Sequence, residues 1–488
     1  MPAKTVQFLA MDYGAESGRG ELVTLRGGKL TLEEIHRFPN RPVRLAGTLH
    51  WDLPYLFAEC LATLRKTAQR GVKLAGIGVD TWGLDFGLLD SAGRLLGNPV
   101  TYRDSRTDNI HRYTNRVMTT DAIFQATANE PWAISTLMQL AAMKRDKNPL
   151  LDIADSLLHM NDLFSYLLSG VRAHDVSNIG TGNLVGGDRK LATKVLKAFG
   201  LPRKLFGKLI EPGTVLGPVL SAVQKETGVG AVPVIAAGGH DTAAAVAAVP
   251  AQGENWAFIS CGTWSILGTL LDSPVTDVRV LRRGFTNEPT VGGWYMCRNI
   301  QGLWMVQQLR ARWDQSSDPW DYTRITAAAA AAKSGPVFRV GDSSIMAPQD
   351  MADALRQLIK STGQKVPTGR GGLVRSVLES LALEYSHGLA TMAELTGKRF
   401  DAVYIVGGGI KNHLLCQLTA NACGVPVHAG VDQCTAVGNA LIQALAIGAV
   451  KSVDQIRRVA RESFGLHTYQ PTAQPEWDAK RKLYAELA

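Results

Sequence analysis

The feature that most constrains the fold is a strand–turn–strand unit that occurs twice along the chain. The apolar runs Val6–Asp12 and Trp256–Ser260 each lead into a turn rich in glycine and hydroxyl groups. An apolar strand then returns in both cases, over Glu21–Leu25 and over Ser265–Leu271. Because 488 residues are too many for one hydrophobic core, this recurrence predicts two successive halves, each begun by a β-hairpin.

Helical patterns alternate with the apolar runs throughout, which favours the α/β class. The segment from Asp52 to Gln69 places Leu56, Cys60 and Leu64 at steps of four, as an amphipathic helix does. Further helices are predicted over Thr136–Lys144, Leu157–Leu168, His240–Val249, Val374–Leu395 and His413–Cys423, and further strands over Leu32–Phe38, Leu74–Asp80, Leu84–Leu89, Val232–Ala237 and Ala402–Val406. The sequence thus predicts a duplicated α/β architecture with a cleft between its halves and a boundary near residues 245–256.

Composition excludes several classes of protein. Hydrophobic residues make up 45% and charged residues 19%, as in ordinary globular chains. No apolar run of about 18 residues and no secretory leader is visible, so no membrane partner is expected and the expected location is the cytoplasm. The six cysteines form no CxxC pair, which predicts buried reduced thiols rather than a zinc site. The net charge is +9, but the basic residues are dispersed, so an anionic small substrate is favoured over nucleic acid.

The turn of the first hairpin, Gly14 to Arg19, is suited to phosphate. Glycines and hydroxyls in a tight turn present backbone N–H groups in a concave nest that holds phosphate oxygens. Asp12, which leaves the strand just before the turn, is placed to hold Mg²⁺ through water. The alternative is a plain hairpin with ordinary turn residues. The second hairpin repeats the pattern at Gly262 and Thr263, and two such loops can grip a polyphosphate.

A second kind of signal is the segment Ala237–Thr242, where a strand ends, two glycines follow and a helix begins. Asp241 at that helix N-terminus is a candidate general base for a substrate hydroxyl, and the helix dipole favours its ionised form. His240 is placed to hydrogen-bond a sugar. The alternative is that Asp241 serves only as a helix N-cap.

Two more segments fit a nucleotide and a polyol. Gly407–Gly409 follows a strand and precedes a helix, but the contiguous glycines depart from the spaced pattern of dinucleotide-binding folds, so close approach of an adenosine fits better. Asp80–Phe86 and Tyr102–Arg106 combine Asp, Thr, Trp and Arg, which suit a polyol. The alternative for these is turn-capping aspartates paired with arginines.

These segments occur in the order found in the FGGY carbohydrate kinases, which the sequence resembles from about residue 5 to residue 470. The runs that carry the resemblance are Asp12-Tyr13-Gly14-Ala15-Glu16-Ser17-Gly18-Arg19, Gly78-Val79-Asp80-Thr81-Trp82-Gly83-Leu84-Asp85-Phe86, Tyr102-Arg103-Asp104-Ser105-Arg106-Thr107, His240-Asp241-Thr242-Ala243, Ser260-Cys261-Gly262-Thr263-Trp264-Ser265, Asn299-Ile300-Gln301-Gly302-Leu303-Trp304 and Gly407-Gly408-Gly409-Ile410-Lys411-Asn412. The resemblance implies two RNase H-like domains of the actin-like ATPase fold. Residues 1–248 would form the sugar side and residues 249–488 the nucleotide side, and the two would close over ATP and a sugar.

The resemblance also implies roles for single residues, carried over by position. Asp241 would accept the proton of the sugar hydroxyl, and Asp12 would lie near Mg²⁺. The implied sugar site is Gly83, His240, Asp241, Thr242 and Asn299, and the implied nucleotide contacts are Ala15, Glu16, Ser17, Gly18, Arg19, Thr263, Gln307 and Gly408. Similarity is strongest to the branch that transfers the γ-phosphoryl group of ATP to the 1-hydroxyl of L-rhamnulose.

The sequence departs from that branch at five positions that bear on the substrate. The branch usually has Phe-Asn, Lys, Met and Glu where this chain has Ile134-Ser135, Arg298, Gln301 and Gln433. A lost hydroxyl partner changes sugar preference strongly, so another ketose such as L-fuculose stays open. An actin-like ATPase without sugar transfer is the alternative from another class. The glycine spacing disfavours a nicotinamide dehydrogenase.

Overall fold

Both predicted hairpins are present in the computed structural model, which describes residues 5–315, 317–472 and 474–487. Thr5–Tyr13 pairs antiparallel with Ser17–Arg26 and parallel with Leu74–Thr81. Trp256–Cys261 likewise pairs antiparallel with Trp264–Leu271 and parallel with a later strand, Ala402–Val406. The same local topology therefore occurs twice, which confirms the duplicated α/β architecture.

The chain forms two units, and each is discontinuous in sequence. Unit 1 comprises Met1–Val249, Leu270–Met296 and Cys434–Ser463, and unit 2 comprises Pro250–Thr269, Cys297–Gln433 and Phe464–Ala488. The predicted functional domains, 1–248 and 249–488, remain a prediction.

The core of unit 1 is a six-stranded sheet. Its strand order is Val215–Pro218, Pro233–Ile235, Leu74–Thr81, Thr5–Tyr13, Ser17–Arg26 and Lys29–Pro39. The helix Leu53–Gln69 packs near this sheet with the predicted stripe, Leu56, Cys60 and Leu64, fully buried. Asp52 caps the helix by accepting a hydrogen bond from the backbone N–H of Tyr55 at 3.1 Å.

One helix prediction in unit 1 was wrong at its start. The segment Leu157–Leu168 was expected to be a single helix, but Ser156–His159 is a strand and the helix is Met160–Ser169. The strand pairs antiparallel with Phe86–Leu89. An apolar run of this length is compatible with either structure, and pairing with a distant strand decided it.

Unit 2 is built on the sheet that contains the second hairpin. Ala402–Val406 pairs parallel with Val427–Ala429, which pairs antiparallel with His467–Tyr469. In the chain, the 27-residue helix Arg370–Thr396 precedes the strand Ala402–Val406, and the helix His413–Cys423 follows it. The last two predicted elements, the strand 402–406 and the helix 413–423, have the predicted bounds.

The remaining elements include two of the predicted helices, Thr136–Arg145 and Asp241–Ala247, whose ends lie within two residues of the predicted bounds. The other strands are Val43–Leu45, Thr48–His50, Ala173–Asp175, Lys208–Ile210, Thr286–Thr290 and Gly293–Gln301. The other α-helices are His111–Thr114, Thr120–Thr127, Thr136–Arg145, Leu150–Ile153, Val176–Ile179, Thr193–Ala198, Ser221–Thr227, Asp241–Ala247, Val278–Arg282, Trp304–Asp314, Tyr322–Ala331, Met351–Ser361, Cys434–Ala446, Val453–Phe464 and Gln474–Glu486. Short 3₁₀ turns occupy Ser105–Thr107, Gly180–Gly182, Arg203–Leu205, Ser343–Ile345 and Gly408–Lys411. Within the described ranges, no helix combines the length and the apolar character that crossing a bilayer demands.

Candidate active site

Three carboxylates of unit 1 are brought to one edge of its sheet. Asp12 and Asp80 are register partners on adjacent parallel strands, near the carboxyl end of each. Thr81 forms a parallel bridge with His240, so the helix that starts at Asp241 begins beside the same edge. Since the carboxyl ends of parallel strands meet at one edge, residues from three distant segments of the sequence form one acidic centre.

Asp80 is the most deeply buried member of this centre, with no exposed surface. The Asn439 side-chain amide donates to its Oδ2 at 2.6 Å, while its Oδ1 has no hydrogen-bond partner. Burial raises the pKa of Asp80 well above its ordinary value, and the charge of Asp12 raises it further. A buried carboxylate oxygen without a donor, facing a second carboxylate, is a chemical environment that a cation relieves.

Asp12, the predicted metal residue, is paired with Arg19, a predicted nucleotide contact. Nε and Nη2 of Arg19 both donate to Oδ2 of Asp12, at 3.0 and 2.6 Å. Both bonds go to one oxygen, which leaves Oδ1 of Asp12 outside this pair. The hairpin register places the two residues directly opposite each other, so local strand pairing alone creates the contact.

Asp241 is the first residue of the helix Asp241–Ala247, and the N-cap position belongs to His240. Its Oδ1 accepts hydrogen bonds from the backbone N–H of Thr242 at 2.6 Å and from the Thr242 hydroxyl at 3.2 Å. The Asp241 side chain keeps 34% of its surface exposed. Desolvation by the surrounding residues raises the pKa of this partly exposed carboxylate, His240 opposes that rise, and Asp12 adds to it. The carboxylate is therefore both accessible and tuned toward a stronger base than a surface aspartate.

His240 is held between two carboxylates. Its Nε2 lies 3.3 Å from Oδ1 of Asp241, and its Nδ1 lies 3.2 Å from Oε2 of Glu288. Tyr295 donates its hydroxyl hydrogen to Glu288. Burial alone would lower the pKa of His240, but Glu288 and then Asp241 raise it above its ordinary value. No sequence pattern indicates Glu288, because its partner, His240, lies 48 positions earlier in the chain.

The segment that carries Gly83 is fixed by a buried carboxylate, Asp85. The indole N–H groups of Trp51 and Trp82 both donate to Oδ2 of Asp85, at 2.6 and 3.0 Å, and Gln139 donates to its Oδ1 at 3.0 Å. The two indole rings lie 4.3 Å apart. Asp85 therefore acts as a structural anchor.

Gly83 itself lies close to His240. A Cβ at Gly83 would lie 3.3 Å from Cδ2 of His240 and 3.1 Å from Oγ1 of Thr181. The predicted sugar residues Gly83, His240, Asp241 and Thr242 are thus neighbours in the structure. Asn299, the fifth, lies in unit 2 on the strand Gly293–Gln301 and is half-buried.

The glycines before His240 are positioned by a buried polar network that sequence reasoning missed. Oδ2 of Asp175 accepts a hydrogen bond from the backbone N–H of Gly239 at 3.0 Å. The Asn178 side-chain amide donates to the carbonyl oxygen of Gly239 at 3.2 Å. A side chain at position 239 would lie 1.9 Å from Nδ2 of Asn161, so close packing requires glycine there.

The turn from Ala15 to Arg19 belongs to the first hairpin, which is formed by the strands Thr5–Tyr13 and Ser17–Arg26. Asn40 fixes it from both sides, because its backbone N–H donates to the carbonyl of Glu16 at 2.9 Å and its side-chain amide donates to the carbonyl of Gly14 at 2.9 Å. Glu16 and Ser17 are exposed at its tip. Gly18 is buried, and a Cβ there would lie 2.2 Å from the Phe38 ring, so packing explains this glycine.

In unit 2 the second predicted turn is attached to the helix Trp304–Asp314. The Gln307 side-chain amide donates to Oγ1 of Thr263 at 3.2 Å, which brings two predicted nucleotide contacts together. The backbone N–H of Leu303 donates to the carbonyl of Gly262 at 3.0 Å. Trp264 at the end of this turn is 51% exposed, an unusual state for a tryptophan.

The three contiguous glycines of unit 2 have different reasons to be glycine. Gly407 has a φ of +80°, which favours glycine, and a Cβ at Gly409 would lie 2.2 Å from Sγ of Cys261. At Gly408 the nearest atom to a Cβ is Oδ1 of Asp432, at 3.9 Å. Gly408 therefore borders open space, as a residue that a ligand approaches closely would.

The structure gives the surroundings of the five positions at which the sequence differs from the branch that it most resembles. Arg298 forms an ion pair with the buried Glu384 at 2.8 Å, and Gln301 donates to the carbonyl of Ile345 at 2.8 Å. The carbonyl of Ile134 accepts from Gln139. Buried side-chain oxygens without a hydrogen-bond partner occur at Ser135 and Gln433.

Comparison with known proteins decides the family. The N-terminal domain of the FGGY family of carbohydrate kinases matches residues 7–248, and its C-terminal domain matches residues 257–447. This chain belongs to the FGGY family of carbohydrate kinases. As a carbohydrate kinase it uses a sugar and ATP as substrates, which confirms the predicted enzyme class.

Several relatives of this FGGY kinase carry a more specific name. The chain is 38% identical to a rhamnulokinase of Bacteroides thetaiotaomicron over 97% of both chains. It is 34% identical to a rhamnulokinase of Enterococcus faecalis, over 95% of this chain and 94% of the relative.

Solved structures show the fold of the family. A gluconate kinase of Lactobacillus acidophilus superposes with a TM-score of 0.81 at 16% identity, over 99% of this chain and 97% of the other. A xylulose kinase of Rhodospirillum rubrum gives 0.81 at 18% identity, with coverage of 99% and 97%. These likenesses confirm the predicted two-domain kinase fold.

Proposed function

We propose that this FGGY kinase transfers the γ-phosphoryl group of ATP to the 1-hydroxyl of L-rhamnulose, which yields L-rhamnulose 1-phosphate and ADP. The observation that carries the substrate is the 38% identity, over 97% of both chains, to a protein named rhamnulokinase. The geometry around Asp241 supports the reaction type, because phosphoryl transfer to an alcohol needs a positioned carboxylate more than covalent chemistry.

Asp241 is the proposed general base. As the sugar oxygen attacks phosphorus and the bond to the ADP oxygen breaks, the hydroxyl proton passes to the Asp241 carboxylate. The His240 side chain, held by Glu288, lies 3.3 Å from that carboxylate and stabilises its ionised form before the transfer. Gly83, Thr242 and Asn299 complete the proposed sugar site.

The acidic centre fits Mg²⁺, because it holds two adjacent carboxylates with a buried oxygen that lacks a donor. We propose that Asp12 and Asp80 hold the ion. Mg²⁺ bound there would neutralise charge on the polyphosphate during transfer. Nε and Nη2 of Arg19 donate to Asp12, so Nη1 is the nitrogen of this guanidinium that would contact an ATP phosphate.

The nucleotide contacts and the domain roles are part of the same proposal. Residues 1–248 would bind the sugar and residues 249–488 the nucleotide. The proposed nucleotide contacts are Ala15, Glu16, Ser17, Gly18, Arg19, Thr263, Gln307 and Gly408. A cytoplasmic location agrees with the need for ATP and with six free cysteines, five of them buried.

The test is ATP consumption by the purified protein with Mg²⁺ and a panel of ketoses: L-rhamnulose, L-fuculose, L-ribulose and D-xylulose. We expect kcat/KM to be highest for L-rhamnulose. A preference for L-fuculose would overturn the substrate but keep the kinase. Rapid ATP turnover without any sugar would overturn sugar transfer itself.

The role of Asp241 is tested by Asp241→Asn, with Asp188→Asn as a matched control, since Asp188 is exposed. We expect Asp241→Asn to lose at least about 10²-fold in kcat, which is the usual contribution of a general base, while calorimetry still detects sugar and ATP binding. Full activity in a folded Asp241→Asn protein would refute the assignment.

A further inference from the structure

A second cluster of ionisable groups lies in unit 1, outside the candidate active site. His159 ends the strand Ser156–His159, Asp162 lies in the following helix, and His174 lies in the strand Ala173–Asp175. One ligand atom from each residue lies within 4.8 Å of the other two. None of the three residues is more than 4% exposed.

Each residue of this cluster has one buried polar atom without a hydrogen-bond partner. These atoms are Nδ1 of His159, Oδ2 of Asp162 and Nδ1 of His174. Oδ2 of Asp162 and Nδ1 of His174 are 3.8 Å apart, too far for a hydrogen bond. That separation suits an ion about 2 Å from each atom, the usual distance for imidazole and carboxylate ligands of zinc.

The hydrogen bonds of His159 fix its tautomer. The Thr136 hydroxyl donates to the carbonyl of Leu84 at 2.7 Å. Nε2 of His159 lies 3.2 Å from the same hydroxyl oxygen and is therefore the donor of that contact. Nδ1 of His159, which is buried and has no hydrogen-bond partner, then carries a lone pair, and neutral histidine binds a metal in this form.

The Asp162 carboxylate is oriented in the same way. Its Oδ1 accepts hydrogen bonds from the backbone N–H of Asp175 at 3.0 Å and from the side-chain amide of Asn161 at 2.8 Å. Oδ2 is left as the free oxygen. Outer hydrogen bonds that orient a first ligand in this manner are typical of protein metal sites.

Charge supports the same reading. Asp162 and Asp175 are close enough to interact electrostatically, and both side chains are buried. In the ranges 5–315, 317–472 and 474–487, no lysine or arginine forms an ion pair with either carboxylate; the contact to His174 is the one present. Unpaired buried carboxylates are costly, and one divalent cation would neutralise both.

We propose that His159, Asp162 and His174 bind one divalent transition-metal ion, with a water molecule as the fourth ligand. Two imidazoles and one carboxylate suit Zn²⁺ or Co²⁺ better than Mg²⁺ or Ca²⁺. The site is structural, because it fixes the strand that carries Asp175. Oδ2 of Asp175 accepts a hydrogen bond from the backbone N–H of Gly239. It is separate from the phosphoryl-transfer chemistry and does not depend on the proposed substrate.

The test uses the full chain, produced in zinc-supplemented medium and passed through gel filtration. Elemental analysis should find about one equivalent of zinc per chain. Protein stripped with a strong chelator should have a lower Tm, and ZnCl₂ should restore it. Less than about 0.1 equivalent in the wild-type chain, together with an unchanged Tm, would overturn the proposal.

Variants locate the ion. His174→Gln and Asp162→Asn should each reduce zinc retention at least about tenfold, whereas the control His428→Gln, at a half-buried histidine in unit 2, should retain one equivalent. Equal retention by His174→Gln would overturn the assignment. If these variants do not fold, the wild-type chain loaded with Co²⁺ decides the matter: visible bands of a four-coordinate nitrogen and oxygen site support it, and the spectrum of hexaaqua cobalt overturns it.

Discussion

The packing of two helices in unit 1 gives a prediction whose size follows from the structure. Gly438 in the helix Cys434–Ala446 lies against Ala244 in the helix that begins at Asp241. A Cβ at position 438 would lie 1.8 Å from the carbonyl oxygen of Ala244 and 2.6 Å from its carbonyl carbon. Both are backbone atoms, so no side-chain rotation relieves the clash.

Gly438→Ala therefore forces the two helices apart. Ordinary contact begins at 3.4 Å, so the shift needed is about 1.6 Å. The displaced helix carries the proposed base, Asp241, at its first residue. A misplacement of about 1 Å costs on the order of 10²-fold in rate, about 2.7 kcal/mol in activation free energy, and overpacking costs about 1–3 kcal/mol of stability.

The assay is kcat/KM with ATP and the preferred ketose, measured by coupled detection of ADP, together with Tm and circular dichroism. Gly230→Ala is the matched control, because no atom lies within 4 Å of a Cβ at that position. We expect Gly438→Ala to keep its secondary structure but to lose about 10²-fold in kcat/KM and several degrees in Tm. Activity within twofold of wild type at an unchanged Tm would refute the inferred contact.

Three further predictions concern single side chains. Glu288→Gln removes a charge that raises the pKa of His240, so a smaller fraction of His240 is protonated and ionised Asp241 is stabilised less. The acidic limb of the pH profile of kcat/KM should therefore move to higher pH. An acidic limb at the wild-type pH would contradict this arrangement. Burial raises the pKa of Glu21 to about 7, above its unfolded value, so this group makes the fold less stable as pH rises from about 4.5 through about 7, by up to about 3 kcal/mol. Glu21→Gln should accordingly raise Tm at pH 8 but not at pH 4.5, and equal effects at both pH values would count against it. Gly408→Leu fills space without a steric clash, so the KM for ATP should rise by roughly tenfold, about 1.4 kcal/mol, with little change in Tm; an unchanged KM would exclude ligand approach there.

Local pattern was enough for the elements that are stabilised by their own sequence. The hairpin at Thr5–Tyr13 and Ser17–Arg26, the helix Leu53–Gln69 and the strand Ala402–Val406 all follow from periodicity and turn residues. The segment Leu157–Leu168 failed because the same apolar run fits a strand or a helix. A partner strand more than 60 residues away, at Phe86–Leu89, decides between them.

Sequence patterns alone indicated the family and the duplicated architecture and predicted Asp12 and Asp241 as candidate site residues, because hairpin turns and helix N-termini are short-range features. The contacts and the electrostatic environment of those residues depend on the tertiary structure. The contacts of Glu288 with His240 and of Asn439 with Asp80 join segments that are distant in the chain. Burial and charge at such contacts set the pKa values and leave particular oxygens without donors, and both depend on which distant segments meet.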